Sequence, residues 1–194
     1  MATINTSNWF YEKPIEGDSQ GTSPGQDWVQ PLILDGSLAE NNTGNGSIGY
    51  DKSKIDTSTT ATKRESIVFT EEDGSTTKIY EIENPDDLGT DNEVIVHIYD
   101  PSWNNDDSIE TILCIGGGDG SDYSADGVGS NPWAQTNIPA NFIHHFEETV
   151  SDETSGTIIP DSSGNGNDGT VEGAQIGVSG HLDGSAENDG TDDR

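Results

Sequence analysis

"SIVFTEEDGSTTKIYEIE", residues 66 to 83, decides the fold class. β-branched and aromatic side chains alternate on either side of Asp73-Gly74, a dipeptide that reverses a chain tightly because it accepts positive φ. The stretch therefore reads as a hairpin. "NPDDLGTDN" then breaks the chain, and "EVIVHIYD" (93 to 100) and "SIETILCIGGGDG" (108 to 120) follow as the two strongest strand signals. In the first of these, Val94, Val96 and Ile98 fall on one face and Ile95, His97 and Tyr99 on the other, so the strand is expected to be covered on at least part of both. Gly116 to Gly120 reads as a strand-end bulge or turn. Upstream, "NWFYEKPI" (8 to 15) is an aromatic opening strand. "DWVQPLILDG" (27 to 36) carries Trp28, Val29, Leu32, Ile33 and Leu34 into a turn at Asp35-Gly36. These two are expected to pair early, with Trp9 and Trp28 in the core. From 37 to 64 the chain is polar and longer than an ordinary connection, which reads as a functional loop or a contact with another subunit. The whole pattern is all-β: an antiparallel β-sandwich, jelly-roll-like, over residues 5–135, with a strand-rich C-terminal extension over 136–194.

Composition narrows the setting. Seven Lys and Arg stand against 37 Asp and Glu, a net charge of -30. Nucleic acid and anionic membrane surfaces would be repelled, and neither is expected as a partner. Leu, Ile, Val and Phe make up only 36 of 194 residues, and with so much charge that is the composition of a disordered chain. Against disorder, the apolar residues gather into β-branched runs that Gly and Asx punctuate, the mark of a folded β protein with an acidic coat. At molar salt the Debye length shrinks to about 3 Å, so self-repulsion that would unfold the chain in dilute buffer is largely screened. Hypersaline adaptation, as in haloarchaea and their viruses, fits this chain; the alternative is an acidic mesophilic surface protein. Cys114 stands alone, which excludes an intrachain disulfide and every multi-cysteine metal site. No apolar stretch approaches the roughly 20 residues of a membrane span. The opening "MATINTSNWFYEKPIEG" lacks the features of an export signal, so passage through a secretion channel is not expected.

"NTSNWFYEKPI", "DWVQPLILDGS", "SIVFTEEDGSTTKIYEIE", "EVIVHIYDPSW" and "TILCIGGGDGSDYS" resemble, in order and spacing, an uncharacterised β-domain family of archaeal and bacterial surface proteins. Members of that family commonly run into a concanavalin-like or laminin-G-like lectin module. The stretch "FIHHFEETVSDETSGTIIPDSSGNGNDGT" (142 to 170) is similar to the opening of such a module in His145, Phe146, Glu148, Gly156, Thr157 and the whole of 161 to 170. The resemblance covers about residues 5 to 170 and implies a surface role. Two departures stand out. Cys114, Ile115 and Gly116 replace an aromatic pair, and only 24 residues follow the lectin-like start, which is therefore expected to be a remnant or a docking extension.

Few residues carry candidate chemistry. "DSSGNGNDGTVE" places Asp161, Ser163, Asn165, Gly166, Asn167 and Glu172 at the spacing of a calcium loop with its turn glycine. Flanking helices are not foreseen, and the resemblance makes the stretch a Gly-Asn turn between strands; a calcium or magnesium site is the alternative. Trp103 with Asn104, and Trp133 with Asn131, lie in polar, Pro-marked loops, where an aromatic face bordered by amides suits sugar stacking; the other reading is that both tryptophans plug the ends of the sandwich. His144 and His145 could join His97 or His181 at a metal, but adjacent strand residues point to opposite faces, and a half-buried strand His is the expected reading. The same alternation separates Glu147 from Glu148 and removes them as paired catalytic carboxylates. "ENDGTD" (187 to 192) departs from the Glu-x-Asp-x-x-Glu row of concanavalin-like glucanases. There is no G-x-S-x-G, phosphate-cradling loop or zinc signature, so no catalytic residue and no enzyme are expected.

The leading expectation is a structural and adhesive component of the virion surface of a halophilic archaeal tailed virus: a capsid turret, decoration or tail fibre protein that meets other virion proteins and host surface glycans. The alternative is a secreted or cell-surface carbohydrate-binding module, and a concanavalin-like glycan-cleaving enzyme ranks third. A homo-oligomer is expected, a ring or fibre in which residues 136–194 run against a neighbour.

Overall fold

Asp73 and Gly74 turn the chain as their sequence requires: Gly74 sits at φ 67°, Glu71 N donates to the Thr76 carbonyl at 2.8 Å, and Lys78 N to the Phe69 carbonyl at 2.8 Å. The structure, a computed structural model, describes residues 11–16, 28–39, 43–44, 47–100, 109–116, 122–124, 132–134, 143–144, 156–171, 173–179 and 184–187. The chain divides into two compact units, Met1–Pro132 and Trp133–Arg194.

In the first unit the strands are β1 (Tyr11–Glu16), β2 (Trp28–Asp35), β3 (Thr43–Gly44), β4 (Ser47–Gly49), β5 (Ile67–Thr70), β6 (Ile79–Ile82), β7 (Glu93–Asp100) and β8 (Ile109–Ile115). Helix α1 (Thr60–Glu65) lies between β4 and β5. The strands form a five-stranded sheet of order β3-β4-β2-β7-β6 and a three-stranded sheet of order β1-β8-β5. All neighbours are antiparallel except β2 and β4. The β2/β7 ladder runs from Trp28↔Asp100 to Asp35↔Glu93, and β1 pairs β8 from Tyr11↔Ile115 to Glu16↔Ile109. Thus β1 and β2 do not pair with each other as expected. Each finds a partner from the far end of the unit, and the β2/β7 pair is nested inside β1/β8.

The hairpin also differs from expectation. Beyond the Thr70↔Thr77 bridge its arms part, β5 joining β8 and β6 joining β7. Burial explains the split. Ile67, Val68, Phe69 and Thr70 are all buried, so β5 needs cover on both faces, which a lone two-stranded ribbon cannot supply. Placed in separate sheets, the arms bring Phe69 against Tyr80 across the core, ring centroids 4.9 Å apart at 70°. Leu34, Ile82, Val94 and Val96 from one sheet and Leu113 and Ile115 from the other join the same hydrophobic cluster. On β7, Val94, Val96 and Ile98 are buried while Ile95, His97 and Tyr99 are half-buried, the partial double cover expected. Cys114 is buried in β8, and Gly116 follows it at φ 77°.

Residues 47–65, within the stretch read as a functional loop or a contact with another subunit, hold β4, a 3-10 turn at Lys52–Lys54 and α1. Tyr50 and Ile55 are buried in the core, and the Tyr50 hydroxyl accepts a hydrogen bond from Gly89 N at 2.9 Å. Helix α1 starts at a reciprocal cap: Thr62 N donates to the Thr59 hydroxyl, and Thr59 N to the Thr62 hydroxyl. Four of this unit's scarce bases pair with nearby acids. Lys52 pairs with Asp91, Lys63 with Asp86, Arg64 with Asp122 at 2.7 Å and the buried Lys78 with Glu71 at 3.1 Å.

The second unit contains β9 (Thr157–Ile159) against β10 (Gly169–Val171) and β11 (Gln175–Ser179) against β12 (Gly184–Glu187), both antiparallel. Ile159, Val171 and Ile176 form its small core, with Ala174 packed against them. Strands dominate throughout; the fold is all-β.

Candidate functional site: the Asp161 loop

Residues 160–168 connect β9 to β10, and one carboxylate organises them. Asp161 Oδ1 accepts from Ile143 N at 3.0 Å and Ser163 N at 2.8 Å. Its Oδ2 accepts from the Ser163 hydroxyl at 2.8 Å and Asn167 N at 2.9 Å. Gly164 and Gly166, at φ 79° and 73°, let the chain curl around the carboxylate. Burial pushes the Asp161 carboxyl up, but the hydrogen bonds from Ser163, Ile143 and Asn167 outweigh it and hold the group well below the usual carboxylate range.

The loop is clasped to the segment at 143–144. Ser162 N donates to the Ile143 carbonyl at 2.8 Å, and His144 bridges to Asp161. His144 Nε2 lies 3.0 Å from the Asn167 carbonyl; a carbonyl only accepts, so Nε2 carries the hydrogen. Asp161 N donates to Asp168 Oδ1 at 2.9 Å. A Cβ on Gly169 would stand 2.9 Å from His144 Cε1, so this glycine makes room for the imidazole.

This geometry bears on the two readings of the stretch. A carboxylate offers about four lone-pair positions, and those of Asp161 already hold four donors. A cation could bind there only by displacing them. Ser163 is buried, its hydroxyl donating to Asp161 and accepting from Asn165 Nδ2 at 3.1 Å. Asn167 contributes its backbone to the clasp, and Glu172 lies outside the described residues. The described arrangement is a carboxylate-centred turn between strands. Among the described residues no three His, Cys, Asp or Glu side chains gather as a metal set.

Most of the other candidates fall outside the described residues. Trp103, Asn104 and Asn131 lie outside the described residues, as do His145, His181, Glu147, Glu148 and the stretch 188–192. Trp133 is half-buried in a 3-10 turn, Pro132–Ala134. His97, in the first unit, sits 2.5 Å from Glu83 Oε2.

The Asp161 turn is one instance of a repeated device. Ten of the 22 aspartates begin an Asp-x-Ser triplet. Six of these triplets, starting at Asp35, Asp51, Asp56, Asp73, Asp122 and Asp161, fall in the described residues. In all six the serine N–H donates to the aspartate carboxylate, and at Asp35, Asp51, Asp56, Asp122 and Asp161 the serine hydroxyl donates at 2.5 to 2.8 Å as well. The physical reason is local: an aspartate side chain reaches the N–H two residues on and closes an Asx turn. The count of Asp-x-Ser was the signal available in the sequence.

Comparison with known proteins brings no match: no family model, no curated protein and no solved structure is significantly similar to this chain.

Proposed function

We propose that this chain is a structural and adhesive component of the surface of a virus of halophilic archaea, a capsid turret, decoration or tail fibre protein, rather than an enzyme. The observation that carries the halophilic part is the repeated Asp-x-Ser turn. Its carboxylates take their hydrogen bonds from the adjacent serine instead of leaving that demand wholly to solvent, so an acidic coat can stay charged and ordered where salt competes for water. The net charge of -30 supports the same setting. Nested antiparallel pairs, β2/β7 within β1/β8, with β5 and β6 parting between sheets, support the jelly-roll-like sandwich reading, an architecture shared by viral capsid and lectin domains. The viral placement rests on these features together with the resemblance to surface β-domains.

The second reading, a secreted or cell-surface carbohydrate-binding module, is favoured by one feature. Asn5, Asn41 and Asn45 each begin an Asn-x-Ser/Thr triplet, the acceptor motif for N-glycosylation of exported chains. Mass spectrometry of particles and of cell envelopes purified in molar salt separates the two. The viral reading expects the chain in particles at fixed stoichiometry to the major capsid protein, with all three asparagines bare. Recovery from envelopes alone, with sugar on any of the three, overturns it in favour of the second.

A further inference from the structure

We propose that Asn165 is a site of spontaneous deamidation, and that its conversion unclasps the Asp161 loop. The reaction needs a side-chain carbonyl carbon that can be attacked and a following main-chain nitrogen free to attack it. Four Asx-Gly pairs lie in the described residues: Asp35-Gly36, Asp73-Gly74, Asn165-Gly166 and Asp168-Gly169. Three of them are guarded. The Asp35 and Asp73 carboxyls are held low, by hydrogen bonds from Ser37 and from Thr76 respectively, and an ionised carboxylate resists attack by a nucleophile. Their nitrogens are also engaged, Gly36 N with the Asn92 carbonyl at 3.4 Å and Gly74 N with the Glu71 carbonyl at 2.9 Å. Asp168 accepts from Asp161 N, and Gly169 is paired with Ile159 in β10.

Asn165-Gly166 differs in its electrophile and in its nucleophile, although Asn165 Nδ2 itself donates to the Ser163 hydroxyl at 3.1 Å. Its side chain is an uncharged amide, and both residues are exposed. Gly166 stands at φ 73° with no heavy atom within 4 Å of where a Cβ would lie, and its N–H has no hydrogen-bond acceptor among the described residues. In the reaction the Gly166 nitrogen gives up its proton and bonds to Asn165 Cγ. The bond from Cγ to Nδ2 breaks, ammonia leaves with the proton, and a five-membered imide closes. Water then opens the imide at one of its two carbonyls, leaving aspartate or isoaspartate with one oxygen from the water.

The isoaspartyl product routes the main chain through Cβ and lengthens it between Ser163 and Asn167. Both ends of that span are fixed: Ser163 N and Asn167 N hold Asp161, and the Asn167 carbonyl holds His144. A longer span cannot keep all of these contacts.

The test is peptide mapping of the full chain, aged folded in molar salt at mildly alkaline pH in oxygen-18 water, beside a sample unfolded in denaturant. Expected are label and isoaspartate at Asn165 in the folded sample, none at Asp35, Asp73 or Asp168, and faster amide hydrogen exchange at Ser162 and Asn167 once the product forms. Asn165→Gln, which cannot readily close the five-membered ring, should abolish both changes. An Asn165 that stays an amide in the folded chain while the unfolded chain converts there would overturn the proposal, as would conversion that leaves exchange at Ser162 and Asn167 unchanged.

Discussion

Phe69 and Tyr80 stand on opposite arms of one reverse turn, and in different sheets, yet their rings meet edge to face with centroids 4.9 Å apart. The Tyr80 hydroxyl reaches back across the core to the Ile67 carbonyl at 3.2 Å, and burial raises its pKa well above the ordinary tyrosine value. This contact ties together the two sheets at the point where the hairpin divides.

Truncation here should be costly in proportion to what is removed. Phe69→Ala empties a wholly buried site and should lower unfolding free energy by about 3–5 kcal/mol. Tyr80→Phe keeps the ring contact and should cost about 1–3 kcal/mol through the unpaired Ile67 carbonyl. Urea titration in molar salt measures both, and equal losses would show that the ring contact is not what joins the sheets.

Asn84 tests how the β6/β7 ladder ends. After Glu83 N donates to the Ile95 carbonyl, the Asn84 side chain takes over: Oδ1 accepts from Ile95 N, and Nδ2 donates to the Glu93 carbonyl and to Asp87. Asn84→Ala strands these partners and should cost about 1–3 kcal/mol. Asn84→Asp keeps the acceptor but turns a carboxylate oxygen toward the Asp87 carboxylate and the Glu93 carbonyl, so it should cost at least as much as alanine in the same titration.

Acid should loosen the loops in a defined window. Hydrogen bonds from Thr76 and Ser75 lower the Asp73 carboxyl from 3.8 to about 2, and Asp161 is also lowered. A carboxyl with a depressed folded pKa contributes stability that is complete above its unfolded value and lost as pH falls toward the folded one. The thermal midpoint in molar salt should therefore fall between about pH 4 and pH 2. Asp73→Asn keeps an acceptor for the Ser75 and Thr76 N–H groups, and should flatten part of this slope. Asp161→Asn replaces one oxygen by a donor that faces other donors, so it should loosen the second unit even at neutral pH. Hydrogen exchange at Ile143, Ser163 and Asn167 reads that loss.

How far the sequence reveals these features depends on the distance over which they act. Period-two alternation placed β2, β5, β6, β7 and β8, because strand propensity and burial act along the chain. It did not place their partners. Pairing of β1 with β8 and β2 with β7 joins residues far apart in the chain, from Asp35 with Glu93 to Tyr11 with Ile115, and nothing local distinguishes that from a β1/β2 hairpin. Helix α1 escaped notice because its Thr59–Thr62 cap is written in the same polar residues as a loop. The calcium spacing at 161 to 172 was visible, but spacing alone does not say whether carboxylate lone pairs face a cation or the loop's own N–H groups. Asp-x-Ser was the better signal there, since its chemistry is complete within three residues.

The adhesive part of the proposal turns on Trp103 and Trp133. Trp133→Ala and Trp103→Ala should weaken attachment to host surface glycans while leaving the far-UV spectrum and assembly intact, because stacking draws on the exposed ring face. Loss of folding in both variants would mark them as core residues and leave no aromatic platform.

Assembly can be tested with the full chain and a shortened one. Truncation after Thr136 should leave the first unit folded and monomeric by light scattering in molar salt, because the proposed contact with a neighbour runs through residues 136–194. A shortened chain that keeps the native oligomeric state would move that contact into the first unit.

Both the viral and the envelope readings require a fold that depends on concentrated salt. Circular dichroism of the purified chain between about 3 M and 0.05 M potassium chloride tests this directly, since the Debye length grows several-fold over that range. The account predicts cooperative loss of the β signal as salt is withdrawn, reversed when salt is restored. A spectrum unchanged across the whole range would contradict it.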